Sequence, residues 1–170
     1  MLIFSYGSNM CLTRLNERVH SVKFISVAKL YGHKIKLHKV SKDGSAKANA
    51  YETADTSDFI LGVIFQINDK KKAELDEAEG LGHGYSEKNV TLVLPDNSRV
   101  SAQVYFANEN AINDLLIPYS WYMDFIIVGA EDFQFSNYYI SELRNIETMH
   151  DYNEIRRQRN ESILAGHVNR

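Results

Sequence analysis

The chain begins with the stretch LIFSYGSNM (residues 2–10), in which a short apolar run meets a glycine. The apolar run is typical of a buried strand. Gly7 permits a sharp exit from that strand, and Ser8 or Asn9 can cap a helix over Met10–Leu15. Such a turn brings backbone N–H groups together, where they can hold a carboxylate or an oxyanion. An ordinary strand-to-helix connection would have the same pattern.

A second predicted helix covers residues 69–79 and ends in a carboxylate. Asn68 or Asp69 can accept hydrogen bonds from the free N–H groups at its start. Gly80 suits the left-handed position that follows the end of a helix. The helix is therefore expected to stop directly after Glu79.

Helical spacing separates the last two glutamates of this segment. At about 100° per residue, Glu79 lies about 40° from Leu75, whereas Glu77 lies roughly opposite that leucine. Leu75 must be buried, so Glu79 shares the buried face and Glu77 faces water. A carboxylate on a buried face suits a group that both takes and returns a proton. A glutamate that reaches solvent from a frayed last turn would fit the same spacing.

The remaining segments predict an α+β chain. The residues contain no internal repeat, low-complexity tract or linker, so we expect one domain over residues 1–170. Predicted strands cover residues 21–31, 33–40, 46–52 and 60–67, followed by a hairpin of residues 90–94 and 100–106; predicted helices cover residues 119–128, 137–147 and 153–164.

Composition excludes several classes of function. The net charge of −3 gives no electrostatic footprint for nucleic acid, and the basic run at residues 156–159 is interpreted as a solvated helix face. No apolar stretch is long enough to span a membrane, and the single Cys11 is consistent with a reducing compartment, so a cytoplasmic protein is expected. The six histidines are scattered without an HExxH pattern, so no metal site is predicted.

Four motifs occur in a characteristic order. They are YGSNM (6–10), LGVIF (61–65), LDEAEG (75–80) with a GY pair at 84–85, and WYMDFIIVGA (121–130). With these motifs the chain resembles the γ-glutamylcyclotransferase-like family over about residues 1–165. The resemblance implies a fold that composition and periodicity do not show, a small, partly closed mixed β-barrel flanked by helices.

The resemblance also implies the site residues. Glu79, directly before the glycine of the LDxxEG motif, corresponds to the catalytic acid/base of the family. The other positions are implied to bind substrate: Ile3, Phe4, Ser5, Tyr6, Gly7, Ser8, Asn9, Tyr85 and Tyr122.

The implied activity is release of 5-oxoproline from a γ-glutamyl amide, without a metal or other cofactor. The expected partner is a small-molecule γ-glutamyl substrate, and the protein is expected to be a monomer or a homodimer. Two alternatives stay open at this point. The same fold could serve as a non-catalytic small-molecule-binding module, or as a γ-glutamylamine cyclotransferase, although that group usually has Tyr-Gly-Thr-Leu in place of YGSN.

Two departures from the family pattern lie on the leaving-group side of the expected site. The family often has P-S-x-x-Y before the last pocket tyrosine, whereas this chain has a bulky Tyr119 after Pro118. Further along, a Leu-Pro pair of the family is replaced by Phe135-Ser136 ahead of Tyr139. The identity of the leaving amine is therefore not implied by the resemblance.

Overall fold

The structure, a computed structural model, describes residues 1–168. This part of the chain contains seven strands and five α-helices. Two of the helices lie between strands, and the last three helices follow all the strands. The elements are β1 (Leu2–Ser5), α1 (Leu12–Arg18), β2 (Lys23–Tyr31), β3 (His33–Val40), β4 (Ala46–Glu52), β5 (Phe59–Gln66), α2 (Lys72–Glu79), β6 (Tyr85–Val93), β7 (Arg99–Ala107), α3 (Ser120–Asp132), α4 (Asn137–Arg144) and α5 (Glu154–Val168).

Five of the strands form a closed barrel in the order β1, β5, β2, β6, β7. Neighbouring strands are antiparallel except at the closure, where β1 runs parallel to β7 and Ile3 pairs with Gln103. The predicted α+β fold, a small mixed barrel flanked by helices, is confirmed. The barrel is closed rather than partly closed, because β1 pairs with strands on both of its edges.

The centre of the barrel is built on β5, which pairs with both β1 and β2. Its run of β-branched and aromatic residues suits a strand buried on both faces, and Val63, Ile64 and Phe65 are fully buried. Gly62 interrupts this run because the ring of Phe4 occupies its space. A Cβ on Gly62 would lie 2.4 Å from that ring.

The hairpin of β3 and β4 forms a separate two-stranded sheet beside the barrel. Its register shifts after Leu37, which pairs with Ala48, while Lys39 pairs with Lys47. Between these two pairs β3 has one extra residue, His38, which has no partner in β4. His38 therefore forms a β-bulge. The hairpin packs against β7, and Asn49 of β4 accepts a hydrogen bond from the backbone N–H of Ala107 at 2.8 Å.

The first helix begins later than predicted. Residues 8–10 form a single 3₁₀ turn, and α1 starts only at Leu12. The predicted caps are wrong because their side chains have other partners. Ser8 accepts a hydrogen bond from Arg14, and the Asn9 side chain bonds to groups outside the turn.

The ends of the second helix agree with the sequence prediction. The Asn68 side chain accepts a hydrogen bond from the backbone N–H of Lys70 at 3.0 Å, and a 3₁₀ turn leads into α2. Gly80 adopts the left-handed conformation with φ of 71°. The helix therefore stops directly after Glu79, as expected.

Strand β6 begins at Tyr85, five residues before the predicted hairpin. Its first half carries polar residues because that half is only partly covered, which hides the strand from a search for apolar runs. Nine residue pairs join β6 to β7, from Tyr85 with Ala107 to Val93 with Arg99. None of the helices within residues 1–168 is both long and apolar enough to cross a membrane.

Helix α3 crosses the 3₁₀ turn of residues 8–10 at very short range. A Cβ on Gly129 would lie 2.5 Å from the Cβ of Met10 and 2.8 Å from the backbone nitrogen of Cys11. Real Cβ atoms do not approach other atoms this closely. The glycine thus lets the helix press directly against the backbone of the turn.

We expect Gly129→Ala to lower the free energy of unfolding by about 1–3 kcal/mol, since the added methyl group overpacks this contact. Chemical denaturation measures the change. Gly166→Ala in α5 is the control, because a Cβ there meets no atom within 4 Å. The control should be neutral or stabilising by up to about 1 kcal/mol. Equal stability of the two variants would contradict the close contact at Gly129.

Candidate active site

A cavity opens at the carboxyl end of β1, where the chain leaves the barrel. The empty space between its lining atoms is about 370 Å³, including the mouth. The lining residues are Phe4, Ser5, Tyr6, Gly7, Ser8, Asn9, Ala48, Glu79, Tyr85, Tyr105 and Tyr122.

Glu79 lines the cavity, and the protein binds one of its two carboxylate oxygens. Its Oε1 accepts a hydrogen bond from Asn9 Nδ2 at 2.5 Å and another from Arg18 Nη1 at 2.7 Å. Its Oε2 accepts no hydrogen bond from any residue within 1–168. The Glu79 side chain is 16% exposed. The carboxylate is therefore held in one orientation with a free oxygen.

Helical spacing predicted correctly which glutamate faces inward. Leu75 is fully buried on the face that α2 turns to the barrel, and Glu79 is partly buried beside it. Glu77 is exposed on the opposite face. The carboxylate that reaches the cavity is thus the one that the resemblance implied.

The 3₁₀ turn offers backbone N–H groups next to the cavity. The first hydrogen bond of the turn is donated by Met10 to the carbonyl of Gly7 at 3.0 Å. The N–H groups of Gly7, Ser8 and Asn9 come before this bond and are not used by the turn. They can therefore bind an anionic oxygen.

Space rather than conformation requires glycine at position 7. Its φ is −110°, which any residue can adopt. A Cβ at this position would lie 3.3 Å from the Cβ of Ala48 and 3.4 Å from the hydroxyl of Tyr122. Glycine at position 7 is therefore explained by the close approach of two chain segments, and not by the sharp exit that the sequence predicted.

Two tyrosine hydroxyls bind the backbone of Ala48. Tyr85 donates a hydrogen bond to the Ala48 carbonyl at 2.5 Å, and Tyr122 accepts one from the Ala48 N–H at 3.0 Å. Because Tyr122 is the acceptor, its own hydrogen remains free for a ligand. Burial raises the pKa of both hydroxyls, so both stay protonated and can donate.

Tyr6 and Tyr105 complete the wall of the cavity. The Tyr6 hydroxyl donates to the backbone carbonyl of Tyr105 at 2.7 Å, and the Tyr105 hydroxyl donates to Asp76 at 2.7 Å. Burial raises the pKa of both tyrosines. These side chains therefore form a rigid, neutral wall.

The structure brings most of the sequence-predicted residues together. Ile3 is the exception, because it is paired with Phe65 and Gln103 inside the barrel and does not line the cavity. The predicted residues that do line it, in addition to Glu79, are Phe4, Ser5, Tyr6, Gly7, Ser8, Asn9, Tyr85 and Tyr122.

Three residues at the site were not predicted from the sequence. Arg18 binds Glu79, and Ala48 and Tyr105 line the cavity. A signal for Arg18 was present, since it follows Arg14 by one helical turn on the helix after the YGSN motif. Ala48 and Tyr105 lie on strands without a motif, and no local pattern marks them.

The cavity continues outward into a cleft with many cationic side chains. Arg14, Arg18, Lys39, Lys42 and Lys47 line this cleft, which shares Ser8, Glu79, Tyr85 and Tyr122 with the cavity.

Lys47 is held inside this cleft by an ion pair. It binds Asp43 at 2.8 Å and lies 4.7 Å from the ring centre of Tyr122. Burial lowers the pKa of Lys47 to about 8. Asp43 also accounts for one departure from the family pattern, because the hydroxyl of the bulky Tyr119 donates to its backbone carbonyl at 3.1 Å.

Comparison with known proteins identifies the chain's relatives. A model of the AIG2-like family matches residues 59–143, which is half of the chain. The matched segment includes Glu79, Tyr85 and Tyr122.

Two relatives named gamma-glutamylcyclotransferase are similar over most of the chain. The protein from Bos taurus is 26% identical over 157 residues, which cover 86% of this chain and 78% of the bovine protein. The protein from Homo sapiens is 26% identical over 150 residues with the same coverage. A solved structure named gamma-glutamyl cyclotransferase has the same fold, with a TM-score of 0.86, 22% identity, and coverage of 97% of this chain and 98% of that chain.

Gly7→Val is expected to reduce both activity and stability, since the branched side chain must displace Ala48 and Tyr122. Thermal unfolding and release of 5-oxoproline from γ-glutamyl-L-alanine measure the two effects. A fully active and equally stable Gly7→Val protein would show that the two chain segments do not approach closely and that the turn does not contact substrate.

Proposed function

The chain belongs to the AIG2-like, γ-glutamylcyclotransferase-like family, and on this premise we propose that it is a cyclotransferase that converts a γ-glutamyl amide to 5-oxoproline and a free amine. Glu79 is the general acid/base in this proposal. The observation that supports it most is the orientation of that carboxylate. Arg18 and Asn9 hold one oxygen, the other accepts no hydrogen bond from any residue within 1–168, and the side chain lines the cavity.

The reaction requires one proton to move twice. The neutral α-amine of the γ-glutamyl group attacks the γ-carbonyl carbon, and Glu79 takes one proton from the attacking nitrogen. A C–N bond forms to close the five-membered ring, and the amide C–N bond to the leaving amine breaks. Glu79 returns the proton to the leaving nitrogen, so the carboxylate ends in its starting state.

Arg18 supports the first of these steps. A general base must be ionised before it can accept a proton. The guanidinium of Arg18 lies 2.7 Å from Oε1 and forms a charge-assisted hydrogen bond with the carboxylate. Its binding to Oε1 alone leaves Oε2 as the proton acceptor.

Ring closure builds negative charge on the γ-carbonyl oxygen. The N–H groups of Gly7, Ser8 and Asn9 and the free hydroxyl hydrogen of Tyr122 are the donors that can receive this charge or the substrate's α-carboxylate. These donors are fixed before the substrate arrives, because the turn is braced by α3 and Tyr122 is bound to Ala48. Fixed donors need little reorganisation during the reaction.

The attack is intramolecular, so the conformation of the glutamyl chain limits the rate. A cavity with rigid walls can hold the chain bent, with the amine near the carbonyl carbon. Such positioning supplies a large part of the rate enhancement in intramolecular reactions. The tyrosine wall of Tyr6, Tyr85, Tyr105 and Tyr122 is suited to this task.

We expect Glu79→Gln to lower kcat by about 10²–10⁴-fold, because the amide keeps the shape of the side chain but cannot transfer the proton. Release of 5-oxoproline from γ-glutamyl-L-alanine measures kcat, and a thermal melt checks the fold. If more than about a tenth of wild-type kcat remained where chemistry limits the rate, Glu79 could not be the acid/base.

Glu77→Gln is the matched control, because Glu77 lies on the same helix, is exposed, and lines only the outer cleft and not the cavity. It should have nearly wild-type kinetics. A wild-type protein that binds γ-glutamyl compounds but releases no 5-oxoproline from any of them would instead support the non-catalytic binding module.

Activity is expected to survive dialysis against a chelator and to need no added nucleotide or metal. Every step above uses only a carboxylate, hydrogen-bond donors and the substrate's own amine. Within residues 1–168, no group of three His, Cys, Asp or Glu side chains could hold a metal ion. Turnover that is lost on chelation and restored by one divalent ion would contradict the proposed role of Glu79.

A further inference from the structure

Asn49 lies in β4 between two residues whose backbone supports the wall of the cavity. The N–H and the carbonyl of Ala48 each bind a tyrosine hydroxyl, and the backbone of Ala50 hydrogen-bonds to the Tyr6 hydroxyl. Ala48 lines the cavity, whereas Asn49 lines a separate groove. A displacement of Asn49 would therefore move the backbone to which these tyrosines are bound.

The Asn49 side chain attaches β4 to the barrel. Its Oδ1 accepts a hydrogen bond from the backbone N–H of Ala107 in β7 at 2.8 Å. Both residues are buried, so loss of this bond would leave a backbone N–H that water cannot satisfy. Because the β3–β4 hairpin shares no strand pairing with the barrel, this side-chain bond fixes β4 beside β7.

The His38 ring determines how the Asn49 amide is oriented. The N–H of Ala107 can only donate, so it holds Oδ1 on its own side and turns the NH2 group toward His38. Nδ2 of Asn49 lies 2.9 Å from Nε2 of His38, which must therefore be an unprotonated acceptor. The ring proton is then on Nδ1, which donates to Asp114 at 2.8 Å. This hydrogen bond lowers the pKa of Asp114 and keeps its carboxylate ionised.

These contacts form a relay, Asp114–His38–Asn49–Ala107, in which each donor meets one acceptor. The imidazole and the amide are both buried, and the ring of Tyr51 lies edge-on to the imidazole at 5.8 Å. Turning the amide round would bring two donors together at Ala107. The relay is therefore satisfied in one arrangement of its protons.

The β-bulge in β3 places His38 in this relay. His38 and Lys39 are both buried although they follow one another in the strand. In a regular strand, successive side chains point to opposite faces of the sheet. Bulges often redirect a side chain near an active site. Here the extra residue directs an imidazole toward Asn49 of the neighbouring strand.

We propose that His38 and Asn49 are positioning residues that act on the reaction through the backbone of Ala48. This inference rests on the proposed function. Neither residue lines the cavity. The relay holds the Ala48 N–H against the Tyr122 hydroxyl, and this bond leaves the Tyr122 hydrogen free for the substrate. A fixed donor stabilises the charge that develops in the transition state, whereas a donor that can turn must first be reoriented.

A relay that only stabilised the fold would have a different effect. Its loss would lower the melting temperature and leave kcat of the folded protein unchanged. Loss of positioning lowers kcat even where the protein is fully folded, because a displacement of about 1 Å in an active site can cost about 100-fold in rate. Measurement of kcat well below the melting temperature distinguishes the two roles.

His38→Leu removes the acceptor and leaves the Asn49 NH2 group unpaired. We expect it to lower kcat for γ-glutamyl-L-alanine by about 10–100-fold and to change KM by less than about 3-fold, since the Tyr122 donor acts on the transition state. His38→Gln places an amide oxygen as many bonds from the backbone as Nε2, so it can accept from Asn49. It should recover kcat to within about 3-fold of the wild-type value.

His33→Leu is the matched control. His33 is also a buried histidine of β3, but its Nδ1 donates to the backbone carbonyl of Tyr31 at 2.8 Å, and it does not line the cavity. We expect this variant to lower the melting temperature and to keep kcat within about 3-fold of the wild-type value.

The tautomer of His38 tests the relay without a measurement of activity. Nitrogen-15 NMR of wild-type protein with labelled histidine is expected to show a protonated Nδ1 and an unprotonated Nε2 at neutral pH. The His38 signals are assigned by their absence from His38→Gln. A proton on Nε2 would overturn the relay, and this result can be obtained even if His38→Leu does not fold.

The outcomes separate this inference from the proposed function. Wild-type kcat in folded His38→Leu would overturn the positioning role and leave the cyclotransferase intact. An equal loss of kcat in His33→Leu, or no recovery in His38→Gln, would also overturn it. A wild-type protein that releases no 5-oxoproline from any γ-glutamyl compound would overturn the proposed function and the positioning role with it.

Discussion

The site depends on the hydrogen bonds that meet at Oε1 of Glu79. They join the 3₁₀ turn through Asn9, helix α1 through Arg18 and the end of helix α2. Arg18 also donates to Asn9 Oδ1 at 2.7 Å, so the three side chains form a closed triangle. Both charges are about four-fifths withdrawn from solvent, and each would be costly without the other. One interaction thus fixes the relative positions of three elements and leaves a single carboxylate oxygen for chemistry.

The hairpin outside the barrel has a second role in shaping the site. Its strand β4 supplies the backbone of Ala48, to which Tyr85 and Tyr122 are bound. These two tyrosines come from β6 and α3, which the chain brings together only in the folded state. The wall of the cavity is therefore set by the position of a hairpin that shares no strand pairing with the barrel.

Local features of the site could be predicted from the sequence, whereas its long-range contacts could not. The helix end at Gly80 and the inward face of Glu79 follow from the periodicity of a helix, which acts over a few residues. Arg18 and Glu79 are 61 residues apart, and no periodicity relates them. The bulge at His38 reverses the alternation on which a strand prediction rests, so the burial of Lys39 could not be predicted.

The basic run at residues 156–159 shows the same limit. It was interpreted as a solvated helix face, and for Arg156 this is wrong. Arg156 binds the fully buried Asp151, which also accepts a hydrogen bond from Trp121 at 2.9 Å. These hydrogen bonds hold the pKa of Asp151 well below its usual range. A charge pattern indicates which residues are cationic, but the partner is chosen by tertiary packing.

The close approach of Gly7 to Ala48 has a consequence for how this sequence can diverge. Tyr85 and Tyr122 bind position 48 through its backbone, so they place no requirement on the side chain there. The space between the two chain segments restricts the size of that side chain, because a Cβ on residue 7 would already be 3.3 Å from the Cβ of Ala48. The two positions share one small volume although they are far apart in the chain. During evolution, either of them can gain atoms only while the other remains small.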